Sequence, residues 1–411
     1  MEQIEYSSLK KLDSSYGTPF YLMDSNIYEN NIKNFLSSLT QYYKKIIIGY
    51  SFKTNYTPAL CQKALTLGCF AEVVSAMEFD LALKAGFSKI IFNGPIKSYD
   101  YLAKAFELDA IINIDSAYEI DYVLEYRKRH LNKKLKVGLR VNVELKDSDG
   151  NSVIQSGLKS GRFGFSQKLL PEIVETLRSN DIIINSIHGH TSSSDRAAIN
   201  YTTIVNYMLN VCKQLSLTDI EFFDVGGGFF GAAANGIDIS NKPTYDEYSK
   251  SIFDCLLNDD WFGSVNPYVV IEPGASVVSN VFSYVSKVYQ VKTMNDKVFV
   301  VTDGTVFDVK PTMHKNNLPF KLYSKTKSPE RILCDFVGST CMEKDVILSE
   351  IKMQKPQFGD YVVIDGVGSY TISLTPTFIN YLSPIIDISD NNIKIVRRRQ
   401  TLEDITRLYT Y

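Results

Sequence analysis

Between residues 27 and 275, eight short apolar runs recur: 46–50, 71–74, 90–92, 110–114, 136–143, 182–188, 221–225 and 269–271. They lack the polar–apolar alternation of a sheet with one wet face, so they read as strands buried on both sides. Helical patterns separate them, clearest over 75–85, 117–129, 167–178 and 199–214. Eight such strands alternating with helices predict a (β/α)8 barrel. A doubly wound open sheet is the rival. Polar residues gather just after the strands all along the series, however, which suits loops on the C-terminal rim of a barrel. After Pro273 the pattern changes to strands with turns between them, at 277–293, 297–303, 331–337, 361–364 and 392–397. That region reads as an all-β domain, a Greek-key barrel or sandwich. Residues 18–23 are also strand-like and are expected to join it. The predicted division is therefore a barrel over 27–275, with 1–26 and 276–411 forming the β domain, in keeping with a chain of 411 residues.

The remaining composition narrows the function classes. The chain is 45% hydrophobic and 22% charged, with 44 basic against 46 acidic residues and a net charge of −2. The triplet Arg397-Arg398-Arg399 is too short for a nucleic-acid surface. No apolar run reaches the roughly 18 residues that span a bilayer, and residues 1–5 lack the cationic and apolar sections of a signal peptide. Six scattered cysteines, without metal-ligand spacing, read as reduced thiols, and the expected compartment is the cytoplasm.

Lys53 ends the first apolar run, in Ile46-Ile47-Ile48-Gly49-Tyr50-Ser51-Phe52-Lys53. Burial disfavours a lysine's charged form, and a lysine deprotonated in this way can form an imine with a carbonyl compound such as pyridoxal phosphate. A lysine that merely ends a strand and reaches to water is the other reading. Ile187-His188-Gly189-His190-Thr191-Ser192-Ser193 offers a ring to lie on an aromatic cofactor and hydroxyls for a phosphate, or simply strand-end histidines. As a zinc site it lacks an evident third ligand. Gly226-Gly227-Gly228 makes an anion nest or a flexible turn. Its spacing is not that of a dinucleotide fingerprint. Glu272, before Pro273 and Gly274, is a partner for a protonated pyridine nitrogen or an exposed turn carboxylate. Cys341 and Tyr370 lie in the β region, where a buried thiol and a packing ring are the ordinary readings.

The order Lys53, Glu72-Val73-Val74-Ser75, His190, Gly226-Gly227-Gly228, Glu272-Pro273-Gly274, Cys341 and Gly368-Ser369-Tyr370 resembles the fold type III pyridoxal phosphate-dependent decarboxylases, which include the diaminopimelate and ornithine decarboxylases. The resemblance runs from Tyr16 to Asp404. It implies that Lys53 carries pyridoxal phosphate, that His190 stacks on the ring and that Glu272 pairs with the ring nitrogen. It implies that Ser193, Gly226, Gly227, Gly228, the backbone at Gly274 and Tyr370 surround the phosphate. Glu72 stands where the family has an Asp near the lysine, and Arg140 faces the cofactor from a barrel strand. Cys341 would come from the partner subunit of a homodimer and supply a proton after carbon dioxide leaves.

Departures from the family pattern bear on the substrate. After the active-site Cys the family has Glu or Asp, which holds the substrate's distal ammonium; here Met342 follows Cys341. The family's Glu-Pro-Gly-Arg becomes Glu272-Pro273-Gly274-Ala275. Its Arg-Pro-x-x-Tyr becomes Lys310-Pro311-Thr312-Met313-His314. An unpaired ammonium in a buried pocket costs several kcal/mol. The expected substrate is thus an amino acid whose distal nitrogen is acylated, such as N-citrylornithine or citryl-diaminopropionate of carboxylate siderophore biosynthesis. Glu343, one position later, leaves open a conventional diaminopimelate, ornithine or lysine decarboxylase. A non-catalytic, antizyme-inhibitor-like binding protein is the reading of another class, disfavoured because Lys53, His190 and Cys341 are all retained. A racemase is disfavoured by the Cys341 motif.

Overall fold

The computed structural model describes residues 4–231, 233, 234, 236, 238–389 and 393–410. The chain divides into two compact units. One comprises Glu29–Gly231 and Ser240–Ser276; the other comprises Met1–Tyr28, Ala232–Ile239 and Val277–Tyr411. The first strand, β1 (Phe20–Met23), belongs to the second unit.

The first unit is the barrel. Its strands are β2 (Ile46–Ser51), β3 (Phe70–Val73), β4 (Ile90–Phe92), β5 (Ile111–Ile114), β6 (Leu135–Arg140), β7 (Ile182–His188), β8 (Phe222–Asp224) and β9 (Tyr268–Ile271). All neighbours run parallel, and β2 closes the ring against β9. The helices between them, including Ala76–Lys84, Ala117–Arg129, Leu170–Arg178 and Ile199–Gln214, fall within a few residues of the expected spans. Inside the ring, side chains alternate along each strand. Ile47, Phe70, Ile91, Ile111, Phe222 and Val270 form one apolar layer. Two residues further along five of those strands, about 7 Å higher at the strand rise, stand Glu72, Asn93, Asn113, Asp224 and Glu272, all buried. The apolar layer fills the barrel's lower half; the polar one floors its C-terminal mouth. Beside that mouth Lys97 and Glu119 form a completely buried ion pair of 2.8 Å. Lys97 also donates to Gly94 O, and Glu119 accepts from the Asp115 and Ser116 amides, so the pair ties together the loops after β4 and β5.

The second unit is a nine-stranded sheet with β1, β10 (Phe282–Met294), β11 (Lys297–Thr302), β12 (Phe320–Tyr323), β13 (Arg331–Val337), β14 (Val346–Gln354), β15 (Tyr361–Asp365), β16 (Ile385–Asp387) and β17 (Lys394–Arg397). Its order is β14-β13-β11-β10-β1-β16-β17, with β15 also on β10 and β12 beyond it. The N-terminal strand does join this sheet, antiparallel to β10 and parallel to β16. Leu9 and Leu12 of the helix Tyr6–Tyr16 pack there with Phe20, Leu22, Val285, Tyr361, Val363 and Ile386.

Three details depart from the sequence expectations. The strand expected from 277 begins at Phe282, because Val277 and Val278 close the helix Ala275–Val278, and a short apolar run reads alike in either state. Strands β12, β14 and β16 were not foreseen. In β14, Ser349 and Glu350 together oppose Asp335 in a bulge with Glu350 at φ 57°, which interrupts the period-2 signal. Asn392, the expected start of the last strand, lies outside the described residues.

Candidate active site

The polar floor of the barrel is one connected network. Lys53 sits in the turn Phe52–Thr54 directly after β2 and donates to Glu72 Oε2 at 2.5 Å. Ser51 Oγ donates to the same oxygen at 2.6 Å. The Asn93 amide nitrogen donates to Glu72 Oε1 at 3.1 Å and to Glu272 Oε1 at 2.5 Å. Asn113 Nδ2 donates to Asn93 Oδ1 at 2.9 Å and to Asp224 Oδ2 at 3.3 Å, and Ser186 Oγ donates to Asn113 Oδ1 at 2.8 Å. Gly138 on β6 makes room for this arrangement: a Cβ there would run into Asn113 Oδ1 and lie 2.6 Å from Ser186 Cβ.

Glu272, at the end of β9, has one oxygen 3.6 Å from His188 Nε2 and 3.6 Å from His190 Nδ1. Burial pushes its carboxyl up, but the neighbouring His188 and His190 imidazoles and the Lys53 charge outweigh it and hold it well below the usual carboxylate range. Burial, reinforced by the Glu272 charge, pushes neighbouring Asp224 well above that range. Glu272 thus carries the charge and Asp224 the proton. Burial also holds both histidines below their ordinary range. The Gly227 N–H donates to His190 Nδ1 at 2.9 Å, so the ring's proton sits on Nε2, which faces Ser192 Oγ at 3.2 Å. Glu272 is the third donor the sequence did not reveal beside His188 and His190, their ligand atoms lying within 4.8 Å of one another. The Gly227 amide, however, already engages one of those atoms.

The glycine loop after β8 is shaped by its lack of side chains. A Cβ on Gly226 would lie 2.5 Å from His190 Cβ, and one on Gly227 would lie 2.5 Å from Glu272 O. Gly226 and Gly228 take φ of 72° and 91°. Tyr201 OH fastens the loop by donating to Gly227 O at 2.6 Å. Arg140 ends β6; it pairs with Asp115 at 3.1 Å, donates to His190 O at 3.1 Å and lies 4.6 Å above the Phe163 ring. Ser193 is buried, and its hydroxyl accepts from Arg196 N and Asn200 Nδ2. Gly274 packs so closely that a Cβ would strike Thr54 Oγ1, and Ala275 opens the helix that follows.

Lys310, His314, Cys341, Met342, Glu343 and Tyr370 lie in the β unit. Asp345 joins two of their segments by accepting from Val306 N at 2.7 Å and Thr340 Oγ1 at 2.6 Å. Lys310 is buried, His314 and Glu343 are exposed, and Cys341 is an exposed free thiol. Tyr370 is 41% exposed at φ 57°.

Residues 29–279 match the family model described as pyridoxal-dependent decarboxylase, pyridoxal binding domain. The chain belongs to the pyridoxal-dependent decarboxylases. It is 27% identical over 411 residues to the diaminopimelate decarboxylase of Helicobacter pylori strain J99, covering 97% of each chain. It is 27% identical over 407 residues to a probable chloroplastic diaminopimelate decarboxylase of Oryza sativa subsp. japonica, covering 95% of this chain and 79% of that one. A crystal structure of H. pylori diaminopimelate decarboxylase complexed with L-lysine superposes with a TM-score of 0.84 at 24% identity, over 97% of this chain and 98% of that one. This decarboxylase is accordingly a pyridoxal phosphate-dependent carboxy-lyase acting on an amino acid.

The residues present fit that cofactor. Among the described residues Arg140 Nε and both His188 ring nitrogens are buried without a hydrogen-bond partner, and such atoms in a native interior ordinarily have one. An ionised, fully buried carboxylate suits a protonated pyridine nitrogen, while the Gly226 and Gly227 amides are already engaged, by Asp224 Oδ1 and His190 Nδ1. Asn93 and Asn113 were not singled out from the sequence. Their signal was present, because 91–93, 111–113, 222–224 and 270–272 each read apolar, any, polar in step with the barrel interior.

Proposed function

We propose that this decarboxylase removes the α-carboxyl group of an amino acid whose distal nitrogen is not a free ammonium, such as a diamino acid amide-linked to citrate. The observation that carries the reading is Met342, directly after Cys341, where the resemblance drawn from the sequence implies an acid. A thioether cannot pair a cation, and a desolvated, unpaired ammonium costs several kcal/mol. Ala275 adds space where the family has a guanidinium, while Lys310, a buried cation, suits carboxylates at the substrate's far end.

In this reading Lys53 holds the cofactor through its amine, with Glu72 accepting from that amine and fixing its direction. Glu272, kept ionised, faces the ring nitrogen, and His190, held by the Gly227 amide, lies against the ring. Bound pyridoxal phosphate delocalises the electron pair left at Cα when the carboxyl group departs as carbon dioxide. The partner subunit's Cys341 then delivers the proton to Cα. A homodimer is supported by the apolar side chains exposed along the segment that follows Tyr370: Leu374, Phe378, Ile379 and Tyr381 are each 38–57% exposed. Pairing that segment with a second copy would cover them.

A conventional diaminopimelate, lysine or ornithine decarboxylase is the second reading. It is favoured by the names of the relatives that the whole chain matches, by the lysine complex of one of them and by the acid at Glu343. Carbon dioxide release from free and N-acylated diamino acids separates the two. The expected result is a kcat/KM at least tenfold higher for an acylated substrate; equal or faster turnover of free diaminopimelate, lysine or ornithine overturns the first reading.

A further inference from the structure

Two carboxylates at the barrel mouth have different tasks in the reading above. Glu72 belongs to the lysine side, accepting from Lys53, and Glu272 belongs to the ring side, between His188 and His190. They come from strands that are not neighbours, β3 and β9, and one neutral side chain bridges them. The Asn93 amide group has two N–H bonds, and its nitrogen donates to Glu72 Oε1 at 3.1 Å and to Glu272 Oε1 at 2.5 Å. Asn93 is 2% exposed. Its orientation is determined by the network, because Asn113 donates to its Oδ1, and Asn113 is itself oriented by the hydroxyl of Ser186. Flipping the Asn93 amide would set an oxygen against two carboxylates and a nitrogen against a donor.

We propose that Asn93 is a positioning residue that couples the Lys53–Glu72 side of the site to Glu272. It fixes the distance between the point where the cofactor is held by an amine and the point where its ring nitrogen is met. The groups that face Glu272 from the surrounding elements are Lys53 after β2, Glu72 on β3, Arg140 on β6, His188 and His190 at β7, and Asp224 on β8. Among the described residues the neutral Asn93 ties the two carboxylates together without adding charge to that set. A hydrophobic side chain in its place leaves Glu72 and Glu272 without a shared donor, and an aspartate sets three acids side by side.

The inference rests on the assignment of Lys53 and Glu272 to the cofactor, and the experiment separates the two. In Lys53→Ala the visible band of the amine-held cofactor should vanish; if it persists, the site assignment itself fails. Asn93→Leu keeps both residues and is expected to weaken pyridoxal phosphate binding at least tenfold. It should also change the visible circular dichroism of the bound cofactor, while far-ultraviolet dichroism stays native. With cofactor saturating, kcat should fall at least tenfold and KM for the amino acid change less than threefold. Asn113→Ala, which leaves the Asn93 amide in place but releases its carbonyl, should shift the same readouts in the same direction by a smaller factor. If Asn93→Leu does not fold, Asn93→Ala takes its place with the same expectations. Native cofactor affinity and native visible dichroism in the folded Asn93 variant, with Lys53→Ala behaving as expected, overturn the coupling and leave Asn93 a packing residue.

Discussion

Glu78 shows what burial does to a single group near the site. It lies in the first turn of the helix Ala76–Lys84, is 5% exposed, and accepts from the Val74 amide at 2.8 Å. Burial pushes its carboxyl from 4.5 to about 7. Folded Glu78 keeps its proton up to about pH 7, whereas the unfolded side chain releases it near 4.5. The folded state therefore binds more protons across that interval, and its stability falls as pH rises through it. Two and a half pKa units correspond to roughly 3 kcal/mol. Urea denaturation of the cofactor-free protein from pH 5 to 8 should accordingly show Glu78→Gln losing less stability with rising pH than the native chain, by a difference on the order of 3 kcal/mol. An unchanged pH slope would place the proton elsewhere. Lys53, His190 and Glu272 were legible in the sequence because each follows an apolar run and carries unusual chemistry for a strand end. Asn93 was not, because an asparagine after a strand is ordinary turn chemistry until the ring closes and sets it beside others; Asn113 is hidden inside the otherwise apolar run of β5.

At the scale of the element, the barrel strands were readable because burial on both faces leaves a near-continuous apolar run, and the helices because they keep a 3.6-residue period. The β unit was only partly readable. In β14 the bulge at Ser349–Glu350 breaks the alternation, and β12 and β16 are four and three residues long. Strand β6 carries a requirement that no periodicity reveals, namely the absence of a side chain at 138. In Gly138→Ala the new methyl would meet Asn113 Oδ1 and Ser186, so the variant is expected to lose roughly 1–3 kcal/mol, the usual cost of overpacking a filled interior. Chemical denaturation of the cofactor-free protein measures that loss. The same variant should bind pyridoxal phosphate more weakly, since the methyl displaces the side chain that orients Asn93.

For the whole molecule, the proposed exchange of Cys341 between subunits makes a quantitative prediction. Lys53→Ala and Cys341→Ala should each be nearly inactive alone. If a functional site takes Lys53 from one subunit and Cys341 from the other, random reassociation of equal amounts makes half the dimers mixed. Each mixed dimer has one intact site of two, so about a quarter of native activity should return. A mixture no more active than its components would show that both residues act from the same chain.

The pairing of β1 with β10 and β16 has a consequence for synthesis. Residues 20–23 leave the ribosome long before their neighbours on either side, residues 282–285 and 385–387. Every strand of the barrel is complete in the nascent chain before either neighbour exists. The barrel can therefore close while β1 is still waiting, and β1 gains its second neighbour only when residues 385–387 arrive. A translation product stopped near residue 300 would hold the pyridoxal-binding scaffold and a leading strand with half its partners, open to an edge from another chain.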